Sequence, residues 1–85
     1  MNRNEIFEVV KTNMTEIIEG IEGEDIQETH TMSDFGADSL EIIEVVSRSM
    51  KQLGLKVPRT ELSKAEDIRG LVDLFEQAQT AKNQA

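Results

Sequence analysis

The chain has 85 residues, 38% hydrophobic and 31% charged, with 17 Asp plus Glu against 9 Lys plus Arg, for a net charge of −8. A chain of this length makes one small domain, residues 1–85, with a thin core and no deep catalytic cavity. The acidic balance speaks against nucleic acid and anionic membranes as partners, since both need clustered Lys and Arg, and the lack of cysteine excludes disulfides and thiolate metal sites.

Taken in chain order, the first helix is expected from Asn4 to Glu19, capped by Asn4. Ile6, Val9, Val10, Ile17 and Ile18 recur at helical spacing, and Gly20 and Gly23 end the helix. The N-terminal segment lacks the apolar run of a signal peptide, and no stretch reaches the ~18 apolar residues of a membrane span. A cytoplasmic location and a monomeric state are the expectations.

A long polar connection from Glu22 to Asp38 follows, pinned to the core by Ile26, Met32 and Phe35. Loops this long are uncommon in compact domains and often functional. The second helix starts at Ser39 or Leu40 and runs to Leu53, with Asp38 as cap and Glu41 three residues later in a capping-box pattern. Its apolar residues cover more than one face, so some are exposed or meet partners. Gly54 ends it, Leu55 to Pro58 is extended, and Arg59 to Leu62 forms one helical turn. The last helix runs from Glu66 or Asp67 to Thr80, burying Ile68, Leu71, Val72 and Phe75, and residues 82–85 fray. The fold class is all-α: a small antiparallel four-helix bundle of three main helices and one short one.

The chemically informative stretch is Asp34-Phe35-Gly36-Ala37-Asp38-Ser39-Leu40. It places the Ser39 hydroxyl at a helix N-terminus, where free N–H groups and the helix dipole favour an anion, and a phosphodiester would suit that site. By local physics alone, a helix-start serine is the alternative reading. Gly36 serves either a positive φ or a close approach by a partner. Asp38 is read as a helix cap.

The run Gly36-Ala37-Asp38-Ser39-Leu40, within this order of helices and loops, closely resembles the modification motif of acyl carrier proteins. The resemblance implies that Ser39 carries 4′-phosphopantetheine, whose thiol would hold acyl groups that the cysteine-free chain cannot. It implies recognition of Asp38 by a phosphopantetheinyl transferase, and partner docking on Leu40, Glu41, Ile43, Glu44 and Ser47. The partners would be acyl-processing enzymes: a ketosynthase, an acyltransferase or an HMG-synthase-like enzyme. The second half of the second helix departs from the carriers of fatty-acid synthesis, because Arg48 and Lys51 stand where acidic residues are usual. Either that face has drifted, or Arg48 and Lys51 tune selectivity for another enzyme set. Small free-standing carriers of this kind resemble those of polyketide pathways, including the acetyl donor of a β-branching cassette. A fatty-acid-synthesis carrier and an unmodified interaction module remain the alternatives.

No catalytic residue is expected. Ser39 has no His–Asp relay nearby, and His30, the only histidine, lacks companion ligands. An EF-hand begun at Asp34 fails, because Ser39 and Val45 occupy its glycine and glutamate positions. No metal site is expected.

Overall fold

A computed structural model describes residues 2–84. Four α-helices follow in order: α1 (Arg3–Ile17), α2 (Ser39–Leu53), α3 (Arg59–Leu62) and α4 (Ile68–Gln84). Two 3₁₀ turns, Gly23–Asp25 and Met32–Phe35, lie in the long connection, and no strand occurs among the described residues. The all-α four-helix architecture matches the expectation. No helix among the described residues is long and apolar enough to cross a membrane.

The start of α1 corrects the expected cap. Asn2, not Asn4, closes the helix: its side chain accepts from the Glu5 amide at 2.9 Å while the Asn2 amide donates to Glu5 Oε1 at 3.0 Å. The Asn–x–x–Glu spacing satisfies two helix-end donors at once, which a lone Asn4 would not. The far end also falls short of the expected glycines. Ile18 turns extended and buries its side chain, so α1 stops at Ile17, with Gly20 in the left-handed region at φ 82° beyond it. Gly23 opens the first 3₁₀ turn instead of ending α1.

The core is one cluster. Ile6, Val10 and Met14 of α1 meet Val45 of α2 and Ile68, Val72 and Phe75 of α4, all essentially without solvent contact. Helix α1 packs against both α2 and α4. Ile26 and Met32 are buried and Phe35 is half-buried, as expected for the anchors of the connection. Hydrogen bonds add to this anchoring. The amides of Ile68 and Arg69, at the start of α4, donate to the carbonyls of His30 (2.9 Å) and Glu28 (2.8 Å). The connection thus supplies acceptors that a helix N-terminus lacks. His30 Nδ1 in turn accepts from the Gln27 amide at 3.1 Å, and its ring stands edge-on to Phe35.

Arg3 ties the same region together, pairing with Glu28 of the connection and with Asp73 and Glu76 of α4. Partial burial opposes its charge, but the hydrogen bonds and charges of Glu28 and Asp73 prevail and raise its pKa. At the other end, α4 continues past Thr80 to Gln84, and Lys82 Nζ donates to the Gly54 carbonyl at 2.9 Å. Fraying from Lys82 onward is therefore corrected as far as Gln84. Ala85 lies outside the described residues.

A polar seam crosses the core. The fully buried Asn13 of α1 donates through Nδ2 to Ser49 Oγ and Gln52 Oε1 of α2, both at 2.9 Å, while its Oδ1 has no partner. Removing one member strands its partners, whereas replacing both by apolar groups avoids that penalty. Asn13→Ala is expected to lose about 1–3 kcal/mol in urea unfolding, and Asn13→Leu combined with Ser49→Ala to stay within about 1 kcal/mol of wild type. A double variant as damaged as the single one would show that packing, not hydrogen bonding, governs the seam.

Candidate functional site

Each turn that leads into α2 closes its own hydrogen bonds. In the 3₁₀ turn, Thr31 Oγ1 accepts from the Asp34 amide at 3.1 Å and Asp34 Oδ2 accepts from the Thr31 amide at 2.8 Å. Gly36 then reverses the chain at φ 81°, ψ 14°, its amide donating to the Ser33 carbonyl at 3.0 Å. An added Cβ at Gly36 would meet nothing within 4 Å. Of the two roles expected for this glycine, the positive φ is the one the chain itself requires.

Asp38 caps α2 as expected. Its Oδ1 accepts from the Glu41 amide at 2.8 Å, and Glu41 Oε1 accepts from the Asp38 amide at 3.0 Å. Both carboxylates are thus engaged by backbone. Ser39 is the first residue of the helix and is exposed. With the Glu41 amide bound to Asp38 and the Ile42 amide bound to the Asp38 carbonyl at 3.0 Å, the positive end of the helix is left to the amides of Ser39 and Leu40. The hydroxyl stands at that end, open to solvent.

Helix α2 divides into sides according to its 3.6-residue turn. Val45, Ser49 and Leu53 face the core. Ile42, Val46 and Met50 face an apolar cavity. Leu40, Ile43, Glu44, Ser47 and Lys51 share a third, exposed side. Leu40 is 77% exposed and Ile43 49%, both unusual for large apolar residues. Ordinary core burial, the other reading available for Leu40, does not hold.

Arg48 stands apart from that stripe. Its guanidinium lies between Glu16 of α1 at 3.1 Å and Glu44 at 3.5 Å. The two basic residues of the second half of α2 therefore differ: Arg48 is neutralised within the chain, and Lys51 faces solvent.

The cavity has a volume of about 530 Å³ and lies between α2, α3 and the start of α4. Val57, Leu62, Ile68 and Leu71 complete its apolar wall, and Ser33, Ser47 and Arg59 are among its polar lining. Its size is in the range of small-ligand pockets, more than the thin core expected from chain length. It forms because α3 is only one turn long and leaves the α2 side of Ile42, Val46 and Met50 partly covered. The buried Asn13–Ser49 contact also went unforeseen. Its signal was positional: Ser49 is four residues from both Val45 and Leu53, on the core side of the helix.

Residues 12–75 match the profile of the family described as phosphopantetheine attachment site. The chain is also 33% identical over 82 residues to the polyketide biosynthesis acyl-carrier-protein AcpK of Bacillus subtilis (strain 168), covering 95% of this chain and 100% of that protein. It is 33% identical over 75 residues to an acyl carrier protein of Saccharopolyspora erythraea, covering 87% of this chain and 78% of the relative. An acyl carrier protein of Thermotoga maritima is 31% identical over 75 residues, covering 88% and 93%. The chain belongs to the acyl carrier proteins, a family that holds 4′-phosphopantetheine covalently and carries groups without catalysing their reactions.

Asp38→Ala removes one side of the box that starts α2. It is expected to lower unfolding stability by about 1 kcal/mol, with amide exchange of Glu41 accelerating more than that of Val45. Equal acceleration at both positions would mean that the box does not set the helix start.

Proposed function

We infer that Ser39 is the attachment point of 4′-phosphopantetheine and that residues 1–85 act as one acyl carrier domain. The observation that carries this is an exposed hydroxyl on the first residue of α2, inside the span matched by the family. The site suits a phosphodiester: the hydroxyl is open to solvent, the helix dipole favours negative charge there, and the Asp38 and Glu41 carboxylates are occupied by backbone amides. When bound, the group supplies a terminal thiol that holds acyl groups as thioesters.

Ser39 acquires the group from coenzyme A on a phosphopantetheinyl transferase. The serine oxygen forms a new bond to the phosphorus that bears pantetheine, the pyrophosphate link of coenzyme A breaks, adenosine bisphosphate leaves, and the hydroxyl proton passes to the transferase. Asp38 holds Ser39 at the helix start, and Gly36 turns the chain so that the hydroxyl faces outward. Afterwards the exposed side of α2, from Leu40 and Ile43 through Glu44 and Ser47 to Lys51, meets acyl-processing enzymes, with Glu41 and Arg48 at its margin. The cavity beside α2 gives an apolar acyl chain a place to withdraw from water.

The pathway reading is polyketide biosynthesis in the cytoplasm. Its support is the likeness to a relative whose name states polyketide biosynthesis, over nearly the whole of both chains, together with a second helix that is basic in its later half. Within that reading the chain is an acetyl donor to an HMG-synthase-like enzyme, with a ketosynthase or an acyltransferase as the other partner types. The relatives named only acyl carrier protein support the alternative of a general fatty-acid-synthesis carrier.

Incubation with coenzyme A and a broad-specificity transferase is expected to add one phosphopantetheine to wild type, and none to Ser39→Ala, by intact mass. A gain on both would move the attachment point. No gain on folded wild type with an active transferase would leave an unmodified interaction module of the same fold.

A further inference from the structure

The charges of this chain are segregated along it. Between residues 12 and 47 there are ten acidic residues and no Lys or Arg; from 48 to 69 there are six basic residues and three acidic ones. The boundary falls within α2. Its exposed stripe runs from Leu40 to Lys51, about 16 Å along the helix axis. Asp38, Glu41 and Glu44 mark the Ser39 end; each has one carboxylate oxygen engaged within the chain, by a backbone amide or by Arg48, and the other without a partner among the described residues.

At the other end, the cations are not equivalent. Arg48 is bound by Glu16 and Glu44, Lys64 by Glu61, and Lys82 by the Gly54 carbonyl. Lys51, Lys56, Arg59 and Arg69 are exposed and make no ion pair among the described residues. Of these, Lys51 lies on the exposed stripe of α2 and Arg59 lines the cavity beside that stripe. Lys51 is one helical turn beyond Ser47, and Ser47 and Arg59 line the same cavity. Glu66 lies on that cavity's lining too, and Asp67 there is engaged as acceptor of the Gly70 amide at 2.8 Å.

We propose that this surface is a bipolar docking face for an acyl-processing enzyme, one that presents basic groups to the Ser39 end and acidic groups to the Lys51–Arg59 end. The proposal rests on the carrier reading and adds an orientation to it. Exposed Leu40 and Ile43 form the apolar centre, where a partner excludes water and gains affinity. The two opposite charge zones fix which way round the partner sits. A uniformly acidic helix admits a basic patch in either sense, whereas a face with a sign change penalises the reversed pose by like-charge contact at both ends. The consequence is delivery: the arm on Ser39 leaves the interface at a fixed end, toward the partner's entrance.

The test uses holo-protein carrying a bromoacetyl group on the arm, which alkylates the active-site cysteine of a docked enzyme. The probes are the ketosynthase and the HMG-synthase-like enzyme of the same genome. Lys51→Glu combined with Arg59→Glu is expected to slow cross-linking about tenfold at low salt, an effect that shrinks at high salt. Lys51→Gln with Arg59→Gln should fall between that variant and wild type. Lys64→Glu with Arg69→Glu, which changes net charge equally, should remain within about twofold of wild type. Equal losses in both reversed variants would reduce the effect to net charge and overturn the proposal, as would a wild-type rate for the Lys51/Arg59 variant. Absence of any cross-link from wild type would overturn it outright. Mass gain on Ser39, measured beforehand on every variant, keeps these outcomes separate from a failure of the carrier reading and verifies that each variant still presents its serine.

Discussion

The position of Ser39 depends on how the long connection is tied to α4. That connection has no regular structure beyond two 3₁₀ turns, so its shape must come from outside it. The amides of Ile68 and Arg69 supply that constraint by bonding to the carbonyls of His30 and Glu28. Each bond serves two segments: it satisfies a helix-end donor, and it fixes a loop carbonyl. Ile26 and Met32 bury apolar surface on either side of these bonds, and Arg3 pairs with Glu28 between them. The chain then leaves a fixed point at Met32, turns at Gly36 and arrives at Asp38 in the extended conformation that a cap needs. A serine at the end of a free loop of this length would wander; here it is carried on the first turn of a helix whose other face is core.

Much of this was legible in the sequence where local chemistry decides. The Asp38–Glu41 box, the left-handed Gly36 and Gly54, the single turn after Pro58 and the buried side of α4 each follow from residue type and spacing. The candidate site stood out for the same reason, since Gly36 to Leu40 form one contiguous run. The cap of α1 is the exception: Asn2 with Glu5 three residues on is a local pattern of the same kind as the Asp38–Glu41 box, and that spacing distinguishes it from Asn4. Features set by contacts between distant segments were not legible. The last turn of α4 persists because Lys82 reaches Gly54, twenty-eight residues away in sequence. Arg48 reads as a free cation on α2 and proves to be bound by Glu16 from α1. The cavity was hidden likewise, because it arises from what the short α3 leaves uncovered and not from any residue pattern.

Helix α2 must do more than one thing with its apolar residues, and the polar seam explains how it keeps them apart. Leu40, Ile42, Ile43, Val45, Val46, Met50 and Leu53 are spread so widely around the helix that apolar burial alone would accept several rotational settings. One setting buries Val45 and Leu53 and exposes Leu40 and Ile43; a rotation by one residue, about 100°, would bring Ile43 and Met50 inward and turn Val45 outward. The Asn13 bonds to Ser49 and Gln52 exist only in the first setting. Any other carries Ser49 away and leaves Asn13 buried without partners, at about 1–3 kcal/mol. A fully apolar seam would be no less stable but would discriminate less between settings. The unpartnered Oδ1 of Asn13 is the cost of placing an amide there. What it secures is orientation: the same seam that turns Ser49 inward turns Leu40, Ile43 and Lys51 outward, along the line that starts at Ser39.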